Sequence, residues 1–410
     1  MKDIKNTRRA FLGKMGAVSA LGVGALVVGC DKQSAQTNPP PPTPQNKNCF
    51  ADIRHEFYGE HQSGIVTPAQ RHIYFLVVDL HNTDKAQIAQ MFKDWTQYSE
   101  RLMKGENIQA YDTNPHVPPI DTGEADSLGA YGLTLTFGVS PSFFDKLGLQ
   151  DKKPPELSEL PKFPRDQIRP ELSGGDICIQ ACSEDPQVAF HAVRQLVRQA
   201  RDKITMKWSQ SGFNAFDDGK DTPRNLFAFK DGTANQDTLK DTDKWLWSDN
   251  QGWFADGTYL VARIIQMHLE TWDRTSLKGQ EDTFGRHRDS GAGIGQSGEF
   301  DELDVNATDD KGNLVIDTTT HAGIAKRTGL QLLRRSFSYS SGIDPKTGQF
   351  NAGLLFISFQ KHPMQFSAIQ NAFGNTDKMT EYTTHIGSGL FACFGGIKQG
   401  EYLGQKLFES

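Results

Sequence analysis

The chain has little cysteine. Five cysteines in 410 residues cannot build a disulfide framework, and none falls in the CxxC or mixed Cys/His spacings that hold zinc. An excess of one charge is missing too: 44 Lys and Arg stand against 50 Asp and Glu, a formal net charge of -6. That balance excludes an overall basic chain, so nothing points to nucleic acid or an anionic membrane surface as a partner. Long hydrophobic runs are also lacking. The apolar stretch near the start, from about Ala17 to Gly29, is too short and too small-sided for a spanning helix. What remains is a globular composition, long enough for two ordinary domains and a sizeable buried core.

The first fifty residues read as address and tether. In TRRAFL, Arg8 and Arg9 precede Phe11 and Leu12, which resembles the twin-arginine signal that exports proteins already folded. An ordinary secretory signal with a basic start is the alternative. The apolar run closes on LVVGC, which resembles a lipobox and makes Cys30 the acylated first residue of the mature chain. An incidental cysteine is the alternative there. Asp31 follows directly and, in a Gram-negative host, resembles an inner-membrane retention signal. Residues 1–30 are therefore read as a lipoprotein signal, and 31–50, with its PPPPTP run, as an extended linker. Folded export suits a protein that takes up a cofactor before transport.

From about Phe57 the pattern alternates strand and helix. RHIYFLVVDL is β-rich, and Asp84 then opens a helix with Ile88, Met91, Phe92, Trp95 and Leu102 on one face. LTLTF and GDICIQA read as strands. Asp185-Pro186 starts a second helix carrying Phe190, Val193, Leu196, Val197 and Ala200 inward, and ITMKW closes the set. The rhythm repeats in TYLVARIIQMHL, LQLLRRSFSYS, AGLLFISFQ and GSGLFACF, with a helix in SAIQNAF–MTEY. This predicts an α+β fold of two ferredoxin-like domains, 51–215 and 216–410, joined near 212–222. The polar stretch from Gly285 to Thr320 predicts a long loop, and such loops inside compact domains are usually functional. Cys178 and Cys182 share one strand face and read as small core residues rather than a redox pair.

Three features could carry chemistry. Asp231-Gly232 in NLFAFKDGTANQ follows an apolar run, though such a pair is most often a plain turn. Arg334 and Arg335 in LLRRSFSYSSG lie on a strand that must bury one and expose the other. A buried arginine calls for a carboxylate or an anionic ligand. Eleven histidines are present, and periodicity cannot choose among them.

The strings FYGEHQSGIVTP, FAFKDGTAN, GTYLVARIIQMHLETWDR, QEDTFGRHRDSGA, THAGIA, LLRRSFSYSSG and GLLFISFQ occur in this order over about 350 residues. Together they resemble the dye-decolourising peroxidases, in particular the branch of periplasmic deferrochelatase-like enzymes. The resemblance implies two ferredoxin-like domains of the dimeric α/β-barrel type, with one haem b per chain in the second. It implies a peroxidase that reduces hydrogen peroxide and oxidises an organic reductant at acidic pH. A haem-handling role in iron acquisition, beside an iron-transport permease, and a non-catalytic haem carrier are the alternatives. Relatives often form homo-oligomers. Carried across by motif, Asp231 resembles the distal aspartate, with Ala228 where the family usually has glycine. Arg334 resembles the distal arginine, and Arg335 is then structural. His321 in THAGIA resembles the proximal ligand of the haem iron, thirteen positions before Arg334, a shorter interval than in relatives. Asp377 resembles the acidic partner of that histidine, with Glu381 as competitor. Leu354 and Phe356 are expected to line the distal cavity, and Arg286 or Arg288 to hold a haem propionate. An aspartate base stays ionised to about pH 4, which carries the expectation of an acidic optimum. Bulky donors then require electron exit through surface aromatics. Tyr339 and Trp272 are candidates, with core packing as the plainer role for each.

Overall fold

Local signals in the sequence become elements where they stand. In the first half, strands β1 (His72–Leu80), β2 (Thr134–Val139), β3 (Ile177–Ser183) and β4 (Ile204–Phe213) alternate with helices α1 (Lys85–Met103), α2 (Pro141–Leu147) and α3 (Pro186–Ala200). This computed structural model describes residues 49–110, 114–215 and 222–409. The leader, Cys30 and nearly all of the linker lie outside the described residues, as do 216–221 at the expected junction. Asp84 caps α1 by accepting from the N–H groups of Ala86 and Gln87, and Asp185 caps α3 through Gln187 and Val188. Each cap contributes about 1 kcal/mol, and Pro186 presets the first turn of α3.

The buried face of α1 carries the five residues that its periodicity predicts. Helix α3 departs at one position. Val188, Ala189, Ala192, Val193 and Leu196 form its buried stripe. Phe190 lies about 130° round the helix from the middle of that stripe. It is exposed and meets Tyr74 edge-on at 5.3 Å.

The second half supplies α4 (Asn235–Leu239), α5 (Thr242–Trp245), β5 (Thr258–Met267), α6 (Leu269–Trp272), α7 (Leu277–Phe284), α8 (His321–Arg327), β6 (Leu333–Arg334), β7 (Phe337–Ile343), β8 (Phe350–Gln360), α9 (Pro363–Phe373) and β9 (Thr383–Cys393). The helix expected across SAIQNAF–MTEY is two pieces. Helix α9 starts earlier, at Pro363, and stops at Gly374 with φ of 47°; Lys378–Glu381 is a separate 3-10 turn. Between Gly285 and Thr320 no helix or strand forms among the described residues, only isolated bridges such as Arg286↔Gly293 and Thr308↔Leu314.

Antiparallel pairing gives the order β2-β3-β1-β4 in the first half and β9-β5-β8-β7 in the second, with β6 added on β8. Each half has the strand order of a ferredoxin-like unit. The sheets meet edge to edge through Gly138↔Cys393 and Val139↔Ala392 at one seam and Phe213↔Ser338 at the other, so eight strands close into a barrel. Alternation sends Phe75, Val77, Leu260, Ala262, Leu355 and Ile357 into the barrel. Cys178, Cys182 and Cys393 join them as free thiols. Gly138 leaves room for them: a Cβ there would sit 3.0 Å from the Cys393 sulfur and 3.1 Å from that of Cys178, so both would have to give. Helices α1 and α3 cover the outer face of the first sheet. The outer face of the second sheet carries Leu354 and Phe356, which pack on loops and short helices instead. That face positions the site. No described helix is long and apolar enough to cross a membrane.

Candidate active site

Asp231 stands at the end of a tight turn. The N–H of Asn225 donates to Phe229 O, and that of Asp231 donates to Pro223 O at 2.8 Å. The turn needs a left-handed residue, and Ala228 supplies it with φ of 69°. Its methyl group makes that conformation cost about 1 kcal/mol more than glycine would. Asp231 Oδ1 lies 3.1 Å from Nη1 of Arg334, and 13% and 29% of the two side chains stay open to solvent. The pair is held together but reachable.

Arg334 is positioned from outside its own strand. The Asn235 side chain accepts from Arg334 N–H at 2.9 Å and donates to Arg334 O at 2.6 Å, closing an amide clamp across 99 residues of chain. Strand alternation turns Arg335 the other way, into the protein. Its guanidinium donates to the carbonyls of Thr67 and Pro68 and to the Gln70 side chain. Neutral oxygens thus take up its two Nη groups, where a carboxylate or an anionic ligand was expected, and its Nε has no hydrogen-bond partner among the described residues. Beside Asp231, Lys230 pairs with Glu299 at 2.5 Å, and Thr233 donates to the same carboxylate. This fastens the 285–303 loop over the turn.

The second pair begins at the N-terminus of α8. His321 Nδ1 donates to Asp377 Oδ2 at 2.7 Å. The other Asp377 oxygen accepts from Met379 N–H, so the buried carboxylate is fixed at both ends. Phe373 stacks on the imidazole at 4.3 Å. Of the two candidate acids, Asp377 reaches His321, while Glu381 is exposed. Gly285 links the two pairs: a Cβ on it would come within 3.0 Å of Thr320, and the next residue is Arg286. Arg286 Nη1 donates to the carbonyls of Gly291 and Glu299. Burial and the nearby Arg334 guanidinium lower its pKa. Arg288 is exposed.

Leu354 packs with Phe227, Phe229, Met267, Trp272, Phe284 and Met379. Phe356 touches the same cluster and Phe366, at 5.8 Å between rings. Tyr339 and Trp272 are both buried, the first inside the barrel and the second in this cluster. His385 on β9 was not singled out by sequence. Its Nδ1 accepts from Arg263 Nε at 3.2 Å. Burial, Arg263 and His321 push its pKa down to about 3. Only strand register brings these residues together, so no local signal announced them.

The residues fit a haem. With Nδ1 engaged, His321 Nε2 has no hydrogen-bond partner among the described residues and would be free to bind a haem iron. The Leu354 wall suits a porphyrin face, and Arg286 suits a propionate.

Comparison with known proteins agrees along the whole body. Residues 62–214 match the family described as Dyp-type peroxidase, N-terminal, and 222–398 match Dyp-type peroxidase, C-terminal. The chain is 35% identical over 414 residues to the Deferrochelatase of Shigella flexneri serotype 5b, covering 95% of each chain. It is 34% identical to that of Escherichia coli K12, covering 98% of this chain and 96% of the relative. A DyP-type peroxidase from Streptomyces coelicolor superposes with a TM-score of 0.82 at 35% identity, over 88% of this chain and 98% of that one. Ferric DtpA from Streptomyces lividans gives 0.81 at 34% identity, with the same coverage. With both halves matched and the barrel shared, this chain belongs to the Dyp-type peroxidase family: it is an oxidoreductase that acts on hydrogen peroxide and uses haem.

Proposed function

We propose that Asp231 and Arg334 carry the peroxide chemistry and that His321, oriented by Asp377, would ligate the iron of a bound haem. The single observation behind this reading is the pair of short polar contacts, Arg334–Asp231 at 3.1 Å and His321–Asp377 at 2.7 Å, tied through the Gly285–Arg286 corner. Bound haem supplies the ferric iron at which peroxide is reduced. Asp231 accepts the proton of one peroxide oxygen and returns it to the other, so that the departing oxygen leaves as water. Arg334 offers N–H donors to the oxygen on which negative charge builds. Asp377 accepts from Nδ1 and makes His321 Nε2 a stronger donor. Arg286, rather than the exposed Arg288, is the propionate anchor in this reading.

The sequence of residues 1–48 supports an envelope location: Arg8-Arg9 for folded export, Cys30 for a lipid anchor and a proline-rich tether. The relatives named Deferrochelatase favour a second role, haem handling for iron acquisition beside a membrane permease. Substituting Asp231→Asn separates catalysis from carriage. On the peroxidase reading, the Soret change after one equivalent of hydrogen peroxide slows by about two orders of magnitude or more. An unchanged rate in a variant that still binds haem would leave a haem-handling protein.

A further inference from the structure

The seam between β2 and β9 is held by only two residue pairs. Beyond it, residues 388–391 of β9 line a cleft of about 660 Å³. Its walls mix backbone with polar and apolar side chains: Gly174, Gly175 and Gly389 leave flat surfaces, and Leu160 and Leu390 add apolar area. Lys162 and Lys207 stand exposed at its rim, and Glu159 and Asp166 are the lining acids. Lys207 also approaches Asp79 at 3.3 Å.

The floor of the cleft is Arg263, 1% exposed. Each guanidinium nitrogen is engaged: Nη2 with the Asp166 carboxylate, Nη1 with Ser388 Oγ at 3.1 Å and Nε with His385 Nδ1 at 3.2 Å. Burying such a pair costs several kcal/mol of desolvation, so its presence asks for a use. By donating to Nδ1, Arg263 leaves the ring proton of His385 on Nε2. A hydrogen-bonded link therefore runs from the cleft floor to His385 on β9.

Size separates this cleft from the peroxide side. The pocket lined by Asp231, Asn235 and Arg334 has about 190 Å³. That admits peroxide but falls below the ~300–1,000 Å³ typical of sites for ring-sized ligands. The larger cleft lies within that range.

We propose that the 660 Å³ cleft is the docking site of the organic electron donor, an aromatic anion of one or two ring systems such as a phenolate or an arenesulfonate. Flat glycine walls receive the ring, and the rim lysines receive the anionic group. Each donor gives up one electron along the Arg263–His385 path and departs as a radical. Two such electrons and two protons convert one hydrogen peroxide to two waters, breaking the O–O bond and forming two O–H bonds. The inference rests on the peroxidase reading, which supplies the oxidant.

The test uses the haem-loaded protein and the ABTS dianion. Calorimetric titration without peroxide gives its dissociation constant. Turnover with peroxide gives separate KM values for ABTS and for peroxide. Lys162→Glu with Lys207→Glu reverses the rim, and Leu160→Trp fills the cleft without changing charge. Both are expected to weaken ABTS binding and raise its KM by about tenfold or more. The rate of the peroxide half-reaction, followed by the Soret band, should stay within about twofold of wild type. ABTS binding and KM that stay at wild-type values in both variants, with haem spectra and circular dichroism intact, would overturn the proposal. A wild-type protein that binds ABTS in the cleft but ignores peroxide would instead overturn the peroxidase reading.

Discussion

Removing the Asn235 amide tests how the distal arginine is held. In Asn235→Ala, two hydrogen bonds to the Arg334 backbone disappear, at 2.6 and 2.9 Å. At about 1 kcal/mol each, the loss to stability is about 2 kcal/mol. The larger effect concerns position. Arg334 ends the two-residue strand β6 and has Asp231 as its side-chain ion-pair partner. Without the clamp its guanidinium can drift by about 1 Å, and displacements of that size cost up to about a hundredfold in rate. Stopped-flow absorption at the Soret band, under varied peroxide, gives the second-order rate constant. A fall of about ten- to a hundredfold is expected. Asn235→Asp should fall as well, since it keeps the acceptor for Arg334 N–H but loses the donor to Arg334 O. Peroxide rate and thermal midpoint both unchanged in Asn235→Ala would refute the reasoning.

Two further outcomes follow from the same geometry. Ala228→Gly relieves a left-handed backbone at φ of 69° and should raise stability by about 0.5–1 kcal/mol, read as a higher thermal midpoint; a lowered midpoint would count against strain at this turn. His385 is neutral in the fold, with its pKa pushed down to about 3 by burial, Arg263 and His321. The unfolded chain binds that proton below about 6.5, so stability rises with pH between about 3 and 6.5 and is lost on acidification through that window. By pH 5 the loss from this group is about 2 kcal/mol. His385→Gln, which keeps an acceptor for Arg263, should flatten the fall in thermal midpoint between pH 7 and pH 5. Identical slopes in the two proteins would contradict the assignment.

What the sequence announced was local, and what it hid depended on register. Asp84 and Asp185 could be read as caps because the groups they satisfy lie two and three residues on. The double strand–helix rhythm gave both ferredoxin-like sheets, since alternation and helical spacing act over a few residues. Phe190 failed because an apolar residue counts toward a helix face only if it falls within the buried arc. The alternation at Arg334 and Arg335 was sound, yet the oxygens that accept from Arg335 come from Thr67, Pro68 and Gln70, more than 260 positions away. Asp231 and Arg334 were visible locally, as an Asp-Gly after an apolar run and one of two adjacent strand arginines, but their roles, and His321 and Asp377 altogether, stood out only through family strings. Nothing in the pattern tied Asn235 to Arg334 or Arg263 to His385, because those meetings are set by how β5, β6, β8 and β9 pair.

The most direct test of the account is the ferric absorption spectrum of His321→Gly, with and without added imidazole. The account predicts that the variant loses the wild-type Soret band and that imidazole restores it, because the cavity keeps Asp377 to receive the ring N–H. A variant whose ferric spectrum matches wild type without imidazole would contradict His321 as the ligand of the haem iron.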